Sequence, residues 1–114
     1  EEASRLAAEA LRFARLHKER GDEGWALRLL GDLASDREDF ADAERHYRDA
    51  LTLAEALGMR PLAAHCHRGL GELSQRVGAL DLARGELGVA RDLYRDMSMA
   101  VWLERADAEF TALG

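Results

Sequence analysis

Residues 10–31, ALRFARLHKERGDEGWALRLLG, and residues 50–71, ALTLAEALGMRPLAAHCHRGLG, align at an offset of forty without a gap. Ala10, Leu11 and Ala14 fall on Ala50, Leu51 and Ala54, and Leu30-Gly31 fall on Leu70-Gly71. A further shift of forty sets Ala43 on Ala83, Tyr47 on Leu87, Ala50 on Ala90 and Leu53 on Leu93. Small and apolar positions agree while polar ones diverge, as happens when repeats share a continuous core. A chain built this way cannot close a core within one unit, so it must stack its units.

Each unit carries two stretches in which apolar residues recur three and four apart, and no stretch alternates with a period of two. This predicts helices at about 2–19, 22–36, 39–57, 61–77, 80–97 and 99–113, with no strand. Gly21, Gly58 and Gly78 stand where left-handed C-terminal caps are wanted, and Asp22, Asp39 and Ser98 where N-caps are. Pro61 suits a first helical turn, where its missing N–H costs nothing. Loops of two to four residues then force neighbouring helices antiparallel.

Leu27, Leu30, Gly31, Ala34, Phe40, Ala43, Tyr47 and Ala50 stand at the spacing of the tetratricopeptide (TPR) pattern, and the chain resembles that family. Leu70, Gly71, Gly78, Leu80, Ala83, Leu87 and Ala90 carry the resemblance in the second unit. There His67 takes a place that is usually large and apolar, and Ser74 one that is usually bulky. The units are longer than the family's usual ~34 residues, and Glu55 and Arg95 stand where its closing proline is expected.

The resemblance implies an all-α fold, a right-handed α-α superhelix of about six antiparallel helices. Its expected divisions are 1–21 as the second helix of a preceding unit, 22–58 and 59–98 as full units, and 99–114 as a capping helix. Within the family, LGMRPLAAHCHRGLG and LYRDMSMAVWLERADAEF resemble the C-terminal repeats of large bacterial signalling proteins. Those join a cyclase or DNA-binding domain to a regulatory ATPase, so the chain is expected to be a fragment of a larger protein. Lys18 as the sole lysine, with no Ile or Asn, fits a GC-rich bacterial source.

The helical pairs put the first helix of each unit on the concave face. The inward positions are Trp25, Arg28, Asp32, Ser35 and Asp36, then His65, Arg68, Glu72, Gln75 and Arg76, with Arg105 entering from the last helix. A strip of both charges with one aromatic suits a protein or peptide partner. The same residues also read as the solvated face of a short array. The Lys/Asn clamp by which some TPR domains hold a terminal carboxylate is not reproduced. Leu6 and Phe13, on a first helix without its partner, offer a second surface for self-association into a homo-oligomer. The alternative expectation is thus a self-assembly module, or an intramolecular regulatory module of a larger ATPase, cyclase or transcription regulator.

Other chemistries find little support. A net charge of −6, with arginines and acids interspersed, disfavours nucleic acid, and no apolar run approaches the ~20 residues of a membrane span. No P-loop frame surrounds Lys18, and Gly69-Leu70-Gly71 lacks a third glycine and a preceding strand. His65 and His67 lie two apart on a helix, about 200° around its axis, so they cannot chelate one metal together. His65 is expected to face the groove, with Cys66 and His67 packed as core fillers. Trp102, Phe110, Met97 and Met99 read as a cap closing the last core layer. The expectation is a non-enzyme without metal or cofactor, in a reducing, cytoplasmic compartment suited to the lone Cys66.

Overall fold

The computed structural model describes residues 1–114, which form six helices and no strand. They are α1 (Glu2–Leu16), α2 (Arg20–Asp36), α3 (Phe40–Leu57), α4 (Arg60–Arg76), α5 (Leu80–Asp96) and α6 (Ala100–Ala112). From α2 onward each helix opens twenty residues after the last, at Arg20, Phe40, Arg60, Leu80 and Ala100. The forty-residue repeat is therefore two twenty-residue modules, each one helix and one turn.

The turns share one geometry. Lys18, Glu38, Gly58, Gly78 and Ser98, again twenty apart, all take positive φ (57°, 62°, 68°, 84° and 56°). The amide that follows each one reaches back five residues: Glu19 to the Ala14 carbonyl, Asp39 to Ala34, Met59 to Ala54, Ala79 to Ser74 and Met99 to Tyr94, all at 2.8–2.9 Å. This is the six-to-one bond of a Schellman closure, which satisfies carbonyls the helix end would leave unpaired.

Gly58 and Gly78 cap as expected. Gly21 does not: it lies inside α2, and Lys18 carries the left-handed turn instead. Asp22 likewise lies in the first turn of α2, whose N-cap is Glu19. Ser98 is the left-handed residue of its turn, and Met99 is the N-cap of α6. Asp39 does cap α3, accepting from the Asp42 amide at 3.3 Å, and Pro61 sits in the first turn of α4.

Each helix packs on the next in sequence, and α2 also packs on α4. That is the order of an α-α superhelix in which α2, α4 and α6 share one face. Alanine dominates the contacts: Ala34, Ala43, Ala50, Ala64, Ala83, Ala90 and Ala106 are fully enclosed. Small side chains let the helix axes approach, so a few large residues fill the remaining space. Tyr47 of α3 is one of these, wedged between Gly31 of α2 and Gly69 of α4. Three clusters run along the stack, centred on Leu27 and Leu62, on Tyr47 and Leu70, and on Tyr94 and Ala106. Met97, Met99 and Trp102 close the last of them as expected, whereas Phe110 lies outside it beneath the Arg91 guanidinium.

At the other end, Leu6 and Phe13 are 52% and 58% exposed. No helix is long and apolar enough to cross a membrane.

Candidate functional site

Residues 65, 68, 72, 75 and 76 follow the three-and-four spacing that places side chains on one stripe of α4. The repeat gives α2 the same stripe at 25, 28, 32, 35 and 36. Contacts between helices then fuse the stripes. Trp25 lies 6.0 Å from His65, ring centre to ring centre, and His65 lies 4.6 Å from Trp102 of α6 in an edge-on arrangement. Arg76 of α4 donates to the Ser35 carbonyl and hydroxyl of α2, both at 3.0 Å. Arg68 Nε donates to Glu109 of α6 at 2.6 Å.

The two ends of this face differ. At the end nearer the helix N-termini, the aromatic rings of Trp25, His65 and Trp102 form a cluster, and Tyr94 of α5 supports it from below. Arg68 and Arg105 lie 5.4 and 5.0 Å from the centre of the Trp102 ring, within cation–π range. Arg28 pairs with Asp32 at 3.2 Å, but its enclosed Nε lacks a well-formed hydrogen bond. Arg105 has no carboxylate partner and rests on the indole alone.

His65 departs from expectation. It is 8% exposed, so it forms the floor of the face rather than an open contact. Its Nδ1 lies 2.7 Å from the Tyr94 hydroxyl. Burial, then the nearby Arg28 and Arg68 guanidiniums, push its pKa down to about 4. The ring is therefore neutral at physiological pH and shares a hydrogen bond at Nδ1 with the tyrosine hydroxyl, whose own pKa burial raises. Trp102 of α6 shuts over it, a contact that helical spacing within α4 cannot reveal.

The end nearer the helix C-termini is polar. Ser35, Asp36, Glu72, Gln75, Arg76 and Glu109 line a depression of about 260 Å³ with no apolar side chain. Burial and then a hydrogen bond with Glu109 hold Glu72 well above the usual carboxylate range, while Arg68 opposes them. The Glu72 side chain keeps 40% of its surface, so water damps that effect. Beneath it, the Tyr47 hydroxyl donates to Asp32. Sequence reasoning missed Glu109 altogether and gave Trp102 only a packing role. The signal for Glu109 was present, since it lies four residues after Arg105 and so on the same stripe of α6.

The histidines flanking Cys66 part company. His65 faces Tyr94 and Trp102, while His67 meets Glu86 of α5 at 3.1 Å. Cys66 is fully buried, which pushes its thiol up to about 12. On the opposite side of the stack, Phe40, Leu70, Leu73, Ser74, Val77 and Leu82 contribute to a second cleft of about 200 Å³. Its signal was present in the sequence, since Ser74 is small at a position where the TPR pattern expects a bulky side chain.

No family model and no curated protein matches the chain. Among solved structures the fold is similar to BtubC (BKLC) from P. vanneervenii, with a TM-score of 0.77 at 21% sequence identity. The match covers 98% of this chain and 48% of that one, so the chain spans about half the length of BtubC. At this identity the likeness establishes the shared fold.

Proposed function

We propose that this chain is a TPR-like interaction module that binds a segment of a protein partner on the face of α2, α4 and α6. The observation that carries the reading is the aromatic cluster edged by cations. Trp25 is 37% exposed and Arg105 stands without a counter-charge, although neither is needed to close the core. An exposed indole beside a guanidinium is the composition of interface hot spots. A catalytic reading gains nothing from the same groups. The Cys66 thiol is held protonated by burial, and His65 is too weak a base to take a proton near neutral pH. We place the module in bacterial signalling or regulation, on the TPR resemblance of its repeats.

A random peptide library displayed on phage, selected on the folded domain, tests the reading. Enriched peptides should bind the parent and lose at least tenfold in affinity for Trp25→Ala/Arg105→Glu, with circular dichroism unchanged. Equal binding to that variant would remove the face from consideration.

A second reading, self-assembly, is favoured by the α1 face. Ala43 and Ala50 of α3, and Ala83 and Ala90 of α5, are fully enclosed, whereas the equivalent Ala3 and Ala10 are exposed beside Leu6 and Phe13. Sedimentation over a wide concentration range should show association that Phe13→Asp abolishes. A concentration-independent monomer would end this reading.

A further inference from the structure

We propose that the partner segment is charge-ordered, with an acidic residue beside an apolar or aromatic anchor at one end and a basic residue at the other. This rests on the binding face proposed above and assigns its two ends different chemistry.

The order follows from the architecture. The helices α2, α4 and α6 each follow their neighbour by one full unit of two antiparallel helices, so they run parallel. Toward the N-termini, Arg68 and Arg105 flank the Trp102 ring, Trp25 and Trp102 flank His65, and Arg28 lies close enough to act on that imidazole. Their C-terminal halves bring together Asp32, Asp36, Glu72 and Glu109, with Arg76 as the one cation at the rim. Parallel helix dipoles add to this arrangement, positive toward the N-termini and negative toward the C-termini.

The internal ion pairs leave a specific remainder at each end. Arg68 is engaged by Glu72 at 3.3 Å and by Glu109 at 2.6 Å, and Arg28 by Asp32. Arg105 is the cation left over, resting on Trp102. A partner carboxylate can approach it while a neighbouring apolar side chain lies on the indoles of Trp25 and Trp102.

At the other end Glu72 and Glu109 crowd one another, with Asp32 adding to the negative field and Arg68 alone offsetting it inside the face. Asp36 stands exposed at the mouth of the same depression. A lysine or arginine entering there would pair with Asp36 at the mouth and take the place of the proton that Glu72 and Glu109 share. His65 to Gln75 spans ten residues of α4, or about 15 Å. An extended segment crosses that distance in about four to five residues.

Synthetic peptides test this directly. One set carries an Asp–Trp pair and a Lys four residues away, and comparison sets are doubly acidic, doubly basic and neutral at those two positions. The ordered peptide should bind the parent domain at least tenfold more tightly than each comparison. Arg105→Glu should switch the preference at the first position from Asp to Lys and leave the second unchanged. Asp36→Lys should remove the preference for Lys at the second position and leave the first unchanged.

If library-selected peptides bind through the face but neither variant alters charge preference, the charge order is wrong and the binding reading stands. If no peptide, selected or synthetic, binds the face at any charge arrangement, both fall together.

Discussion

The ring of Tyr47 fills the space that a side chain on Gly69 would need: a Cβ at residue 69 would lie 2.5 Å from the tyrosine Cζ. Gly31 constrains the other side of the ring, where a Cβ would come within 2.8 Å of Cδ1. The hydroxyl is tied to Asp32. One side chain of α3 thus sets how closely α2 and α4 approach, and with it the spacing of the two side-chain stripes on those helices.

Gly69→Ala should therefore destabilise the domain. Alanine gains about 1 kcal/mol of helix propensity over glycine. Overpacking against a ring held on two sides costs typically 1–3 kcal/mol, and here the ring has little room to yield. Urea unfolding should show a net loss of about 1–2 kcal/mol, partly restored by adding Tyr47→Leu. A gain in stability would mean the ring can move aside.

Lys18 and Gly58 occupy equivalent turns, at φ 57° and 68°. A non-glycine residue there costs roughly 1–2 kcal/mol, part of which glycine loses again through its unfolded-state entropy. Lys18→Gly should stabilise by about 0.5–1 kcal/mol and Gly58→Ala should destabilise by a similar amount. Opposite signs in thermal melts would support one shared turn geometry. The same sign for both would refute it.

Much of this was legible in the sequence because the repeat is a statement about shared packing. The offset of forty located all six helices to within a few residues, and Asp39, Gly58, Gly78 and Pro61 read correctly from local chemistry. Gly21 misled for a physical reason. The turn is fixed by the bond from the Glu19 amide to the Ala14 carbonyl, which makes Lys18 tolerable in a left-handed conformation and leaves the glycine as the second residue of α2. His65 was placed on the correct stripe, but its burial depends on Trp102, thirty-seven positions away, and on Tyr94 beneath. Helical period fixes the direction of a side chain and says nothing about what later closes over it.

His65 gives the domain a dependence on acid. Its pKa is about 4 when folded against an ordinary 6.5. The unfolded chain therefore binds the extra proton first, and stability falls as pH drops from 6.5 toward 4. The full loss is on the order of 3 kcal/mol. His65→Phe should show a shallower decline than the parent across that window, measured by chemical unfolding at stepped pH. Parallel profiles would contradict the buried neutral imidazole.

Glu72 acts with the opposite sign. Its folded pKa lies above the ordinary 4.5, so the native state holds the proton longer, and its contribution is lost as pH rises above 4.5 through the folded value. Glu72→Gln keeps a donor for Glu109 without the charge. Its stability relative to the parent should grow from pH 4.5 toward neutral and beyond. A constant difference would show that Glu72 and Glu109 do not share a proton.

If α2, α4 and α6 present one binding face, Trp25 and Trp102, the only two indoles in the chain, both report on it. A proton–nitrogen NMR titration with a library-selected peptide reads both indole N–H signals directly, beside every backbone amide. Both indole signals should move together with amides around Arg28, Arg68 and Arg105, while the outer surfaces of α3 and α5 stay still. Shifts confined to α1, or to the cleft around Ser74 and Leu82, with both indoles unmoved, would contradict a single binding face on α2, α4 and α6.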